Sequence, residues 1–191
     1  KKHSEKLKIP VLQPVEIKNY EFLSTIKKLN PDIYVVVAYK ILPESILNIP
    51  PDGAVNLHAS LLPKYRGAAP INHAILNGEE YTGITTFLIQ KKVDTGDILL
   101  QQKLKISDTV TTGELMEELA QIGADCIIKT LDRLSDNTII PKKQNNRLAS
   151  FAPKIQVENC KIDWNLSAEM IHNIIRAFSP APGAFTFYKN K

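Results

Sequence analysis

Apolar positions along the chain switch between two spacings. From Asn19 to Leu29, Phe22, Leu23, Ile26 and Leu29 recur at helical intervals, and Asn30-Pro31 ends that helix. The run Ile33-Tyr34-Val35-Val36-Val37-Ala38 is apolar without a break, the pattern of a strand buried on both faces in a parallel sheet. Ile9-Pro10-Val11-Leu12 predicts a shorter strand, and the polar, basic residues before it read as the tail of an upstream element. Leu42–Leu47 predicts a short helix with Pro43 in its first turn, and Pro50-Pro51-Asp52-Gly53 a turn. Ala54–His58 reads as the next strand, Pro70–Asn77 as a helix stopped by Gly78, and Gly83–Gln90 and Ile98–Ile106 as two further strands.

Thr111 and Glu114 form a capping-box pattern. It opens a long helix carrying Leu115, Leu119, Ile122, Ile127, Leu131 and Leu134, closed at Asp136-Asn137. Strands alternating with helices predict an α/β domain with a mainly parallel open sheet. Beyond it, residues 142–158 are polar and irregular, like a linker. Ala168–Phe178 carries Ile171, Ile174, Ile175 and Phe178 on one stripe, and Ala184–Tyr188 starts a strand. A lone strand leaves its backbone groups without partners, so the expectation is the beginning of a second domain.

Composition changes this picture little. Of 191 residues, 43% are hydrophobic and 23% charged, as in ordinary globular proteins. No apolar run reaches the ~18–20 residues that span a bilayer, and Lys1–Lys6 lacks the apolar core of a signal peptide. A cytoplasmic protein without membrane contact is expected. Cys126 and Cys160 are isolated, so buried or incidental thiols are expected rather than a disulfide. The net charge of +4 is compatible with a polyanionic partner, but the lysines are scattered. No metal-ligand spacing and no G-x-G-x-x-G occurs.

Three segments carry candidate chemistry. Asn56 and His58, two apart on a strand, share a face near its carboxyl end, where open α/β sheets bind ligands. By spacing alone, surface or hydrogen-bonded core polar groups are the favoured reading. Val93-Asp94-Thr95-Gly96-Asp97 follows another strand, so Asp94 or Asp97 is placed to meet His58; a plain turn fits the same residues. An asparagine amide stabilises an oxyanion, and a histidine oriented by a carboxylate moves protons near neutral pH, which together suit acyl transfer. The third segment, Ser60–Pro70, joins the strand to a helix, with Arg66 before a helix N-terminus and Gly67 permitting close approach.

The run Asn56-Leu57-His58-Ala59-Ser60-Leu61-Leu62-Pro63, continued by Tyr65-Arg66-Gly67-Ala68-Ala69-Pro70-Ile71-Asn72, resembles the signature of the formyltransferases that use 10-formyltetrahydrofolate. Val93–Asp97 resembles their second motif, and the Arg-Gly-Ala-Ala-Pro continuation most resembles members acting on methionyl-tRNA. The resemblance implies a Rossmann-like catalytic domain over residues 1–141, a linker over 142–165 and the start of an OB-like barrel over 166–191. It implies that Asn56 stabilises the oxyanion, that His58 moves the proton and that Asp94 positions and charges it. Ser60, Leu61, Leu62 and Pro63 match the folate-contacting segment, Ile41 and Leu42 the pterin pocket, and Arg66 and Gly67 the substrate side.

The implied partners are the co-substrate 10-formyltetrahydrofolate and initiator methionyl-tRNA, with no metal, and the protein is expected to be a monomer. A sugar-nucleotide amine or glycinamide ribonucleotide is the alternative acceptor, and a non-catalytic folate- or tRNA-binding remnant the alternative class. A strand–helix unit upstream and most of the barrel downstream are expected to be missing, leaving the isolated chain weakly active or inactive. His73, His172 and Trp164 are expected to be structural.

Overall fold

The computed structural model describes residues 2–189. Two compact units are present among the described residues, one of residues 2–34 and 40–54, the other of 35–39 and 55–189. In the first, α1 (Lys2–Lys6) precedes α2 (Tyr20–Lys28), whose N-cap Asn19 accepts from the Glu21 amide at 2.8 Å. α3 (Glu44–Leu47) is capped by Pro43, and Ile26 and Ile46 are the buried side chains of these two helices. Residues 9–12 form no strand, and Ile9 and Leu12 are exposed. Pro10 has no N–H to give a ladder, so a short apolar run there is not enough.

The second unit holds most of the sheet. β1 (Tyr34–Val37), β2 (Ala54–His58), β4 (Tyr81–Leu88) and β5 (Ile98–Lys105) lie in the order β1-β2-β4-β5. The α/β class holds, but the sheet is mixed rather than mainly parallel: β2 pairs β4 antiparallel, with Asn56 opposite Phe87 and His58 opposite Thr85, and β4 pairs β5 antiparallel. Alternating strands and helices suit a parallel sheet, but β4 and β5 follow one another with no helix between them, and such neighbours pair as an antiparallel hairpin. β1 differs again. Val35 and Val37 are 43% and 51% exposed, so this strand is not buried on both faces.

α5 (Thr112–Ser135) packs against β4 and β5, and α4 (Pro70–Leu76) against α5 and α6 (Ala168–Ala177). Both bonds of the Thr111–Glu114 capping box are made. The buried stripe of α5 runs Leu115, Leu119, Gly123, Cys126, Thr130, leaving Ile127, Leu131 and Leu134 only partly covered. Leu57 lies against Gly123, so the Leu57 face of β2 meets this helix. Asn56 and His58 therefore point to the opposite face. Cys126 and Cys160 are free and buried, and burial raises both thiols' pKa.

Residues 142–152 are irregular, as expected, yet ordered by contact. β6 (Phe151–Ala152) pairs in parallel with β3 (Arg66–Gly67). The segment 184–188 makes a single bridge, Phe185 to Lys161, rather than a strand. Among the described residues no helix is long and apolar enough to cross a membrane.

Candidate active site

Two loops meet on the face of β2 that turns away from α5. The first leaves β2 at Ala59 and is pinned to the sheet through Thr85. Thr85 Oγ1 donates to Ser60 O at 2.6 Å and accepts from the Leu62 amide at 3.1 Å, while Gln101 Nε2 donates to Leu62 O at 2.9 Å. Ser60 Oγ donates to Lys64 O at 2.6 Å, closing the turn. Ser60 and Leu62 are thereby buried and held, whereas Leu61 and Pro63 keep part of their surface open.

The second loop follows β4. Leu88 N donates to Asp97 O at 3.0 Å, returning the chain across the strand end and turning Asp94 inward. Asp94 has a positive φ of 53°, which aspartate tolerates better than most residues. Its carboxylate is buried, 3.8 Å from His58 Nδ1, and its Oδ2 accepts from the Gly67 amide at 2.8 Å. Of the two aspartates open from sequence, Asp94 is the one that meets His58.

His58 is 7% exposed. Its Nε2 lies 2.8 Å from Tyr65 O, and a carbonyl only accepts, so Nε2 carries the proton. In the neutral ring Nδ1 is then the free base, and it faces Asp94. Asn56, half-buried two residues earlier on the same face, sits in the ladder opposite Phe87, and its side chain makes no hydrogen bond with another described residue.

Arg66 sits elsewhere than a substrate-facing cation would. It is 6% exposed, and its guanidinium donates to Gln144 Oε1 at 3.1 Å from Nε and 2.6 Å from Nη2, and to Asn146 Oδ1 at 2.8 Å. Burial lowers its pKa, opposed by the nearby Asp94 carboxylate. Gly67, at φ 123°, runs so close to β6 that a Cβ there would lie 2.6 Å from Ala152 O. Ile41 and Leu42 belong to the first unit, on the segment before α3, with Ile41 exposed. His73 Nε2 donates to Pro153 O at 3.0 Å, His172 Nε2 to Asp108 O at 2.8 Å, and Trp164 Nε1 to Thr186 Oγ1 at 2.9 Å, all structural contacts. Among the described residues no group of three or more His, Cys, Asp or Glu is placed to hold a metal.

Tyr65, which orients His58 through its carbonyl, is itself anchored. Its hydroxyl donates to Glu79 at 2.7 Å and accepts from Asn77 at 3.0 Å. Burial pushes the phenol from 10.0 up to about 12, against the lowering effect of Asn77 and with Glu79 adding to the rise. Because the folded value is raised, the stability this contributes is full below pH 10 and lost as pH climbs through about 12. Burial also raises Tyr34, so an ultraviolet titration is expected to show a lagging fraction that shrinks by one tyrosine in Tyr65→Phe; an unchanged curve would assign the lag elsewhere.

A buried His–Asp pair, an asparagine on the same strand face and two loops tied to each other come together on an α/β scaffold. The chain belongs to the formyl transferase family, whose model matches residues 1–131, and the model of the formyl transferase C-terminal domain matches 154–191. Within the family, its curated relatives include methionyl-tRNA formyltransferases. That of Acetivibrio thermocellus is 48% identical over all of this chain, and that of Caldanaerobacter subterraneus subsp. tengcongensis 50% identical over 96% of it. The chain spans 62% and 60% of the length of those two proteins. Among solved structures, an N-formyltransferase from Helicobacter canadensis in complex with folinic acid and dTDP-3-aminofucose matches at TM-score 0.62 and 35% identity, covering 65% of this chain and 46% of that one. The methionyl-tRNA formyltransferase of Clostridium thermocellum shares the fold at TM-score 0.73 and 22% identity, over 98% and 81%.

Proposed function

We propose that this chain carries the site of an enzyme that transfers the formyl group of 10-formyltetrahydrofolate to the α-amino group of initiator methionyl-tRNA. The observation that carries the reading is the 3.8 Å approach of Asp94 to His58 Nδ1, with Asn56 on the same face of β2 as His58. The acceptor rests on the 48–50% identity to methionyl-tRNA formyltransferases, above the 35% shared with the sugar-linked neighbour. Folate is supported by that neighbour's folinic acid complex. The pinned Ser60–Pro63 backbone, with Leu61 and Pro63 partly open, offers a fixed apolar ledge that fits a flat ring, and Ile41 and Leu42 are assigned to the pterin side. Residues 1–141 are assigned as the catalytic domain, 142–165 as linker and 166–191 as the start of the barrel.

A free α-amino group has a pKa of ~7.7–8.0, so an appreciable part is neutral near pH 7 and no strong base is needed to expose its lone pair. Asn56 donates to the formyl oxygen as negative charge develops there. His58 takes the amine's proton on Nδ1 and returns it to the folate nitrogen as the bond from that nitrogen to the formyl carbon breaks and the new C–N bond remains. Asp94 stabilises the intervening imidazolium. Arg66 and Gly67, assigned to the substrate side from sequence, act here through the loop they hold and not through a free cation.

The test is formyl transfer by the whole protein to charged initiator tRNA, a dTDP-amino sugar and glycinamide ribonucleotide in parallel. Transfer to tRNA alone is expected. Transfer to another acceptor overturns the acceptor, and folate binding without transfer to any of them overturns the enzyme reading.

A further inference from the structure

Gln144 lies in the irregular segment after α5, far in sequence from every residue named for chemistry, yet its carboxamide is fully engaged inside the site. Nε2 donates to Asp94 O at 2.9 Å and to Gly96 O at 2.8 Å. Oε1 accepts from Arg66 Nε and Nη2. The orientation is forced: carbonyls only accept and a guanidinium only donates, so the amide cannot be turned over without losing all four bonds.

These bonds span both catalytic loops. Arg66 belongs to the loop after β2, and Asp94 and Gly96 to the loop after β4. Between the same loops runs the Gly67 amide to Asp94 Oδ2 bond. The carboxylate is thus held at its oxygen by Gly67 and at its own backbone by Gln144, while the left-handed backbone at Asp94 leaves that residue without a regular ladder to fix it. A 3.8 Å approach to His58 Nδ1 depends on both.

We propose that Gln144 is a positioning residue for the reaction, its carboxamide tying Asp94 and Gly96 to Arg66 so that the Asp94 carboxylate stays against His58. The rate arm of the test rests on the formyl-transfer reading; the spectroscopic arm does not. Gln144→Glu keeps an oxygen for Arg66 and removes the donor, setting a second oxygen against two carbonyls, so the buried guanidinium stays paired and the fold is retained.

In the whole protein, Gln144→Glu is expected to lower kcat about 10- to 100-fold, the scale of a misplaced catalytic group, with little change in KM for either substrate. Because Gln144 acts through Asp94, Asp94→Asn combined with Gln144→Glu is expected to be no slower than Asp94→Asn alone. Without substrate, NMR of Gln144→Glu is expected to show shifted Asp94 amide and His58 ring resonances. Multiplying rate losses in the double variant, or Asp94 and His58 resonances that stay in place, overturn the proposal. If the parent transfers no formyl group, the functional reading falls and the resonances alone decide the role of Gln144.

Discussion

Asn56→Ala is expected to lower kcat for formyl transfer by roughly 100- to 1000-fold, about 3–4 kcal/mol at the barrier, with KM nearly unchanged. The amide sits half-buried on β2, opposite Phe87 in the ladder, so a rigid strand fixes its direction. It has no hydrogen bond to another described residue to give up when it turns to the formyl oxygen. The strand fixes the side the amide projects from, so only a side-chain rotation separates it from the developing charge, and one such donor can carry this much of the rate. Asn56→Asp is expected to be at least as slow, because it sets a negative acceptor where a donor is needed. Single-turnover kinetics with saturating substrate provide the measurement. A loss within about threefold in Asn56→Ala, far below the expected scale, would remove Asn56 from the oxyanion role.

The second large effect is on folding. Gly96→Ala is expected to cost about 3 kcal/mol or more, at or beyond the upper end of ordinary overpacking, and to abolish transfer in whatever protein remains soluble. A Cβ at Gly96 would lie 1.6 Å from Leu88 O and 2.8 Å from Leu88 C. Both are backbone atoms at the end of β4, and Phe87 Cδ2 stands 3.2 Å away on the inner side. No side-chain rotation relieves such contacts; the loop must move away from the strand. That movement breaks the Leu88–Asp97 bond, pulls Gly96 O from Gln144 and carries Asp94 with it. Urea unfolding tests this directly: a lowered midpoint with unchanged slope is expected. A midpoint equal to the parent's would mean that the loop does not run against Leu88.

Much of the site is legible in the sequence because its residues obey local rules. Asn56 and His58 share a face through the period of a strand, and Thr111 and Glu114 announce the start of α5 within four residues. The loop's place after β4 offers Asp94 and Asp97 alike; the motif resemblance selects Asp94, and Asp94 is the one found beside His58. What escapes has no local period. Arg66–Gly67 and Phe151–Ala152 are strands of two residues, too short to show alternation. Gln144 looks like any polar linker residue until Arg66, 78 positions earlier, is placed beside it. The charge on Arg66 suggests a ligand, whereas its two amide partners lie in a segment that reads as irregular. Strand direction is equally hidden: a covered apolar run does not record which way its neighbours point.

The loop holding Tyr65–Gly67 is completed by residues that are made much later. Ser150 Oγ, which accepts from the Tyr65 amide, follows it by 85 positions. At about 5–20 residues per second, the ribosome adds them over roughly 4–17 s. For that interval the nascent chain already contains Asn56 and His58, and then Asp94, while the strap that fastens their loops has yet to be synthesised. The strap therefore fastens these loops only after residue 152 has been made, and a polypeptide released before Ala152 holds Asn56, His58 and Asp94 without the contacts that fix their loops.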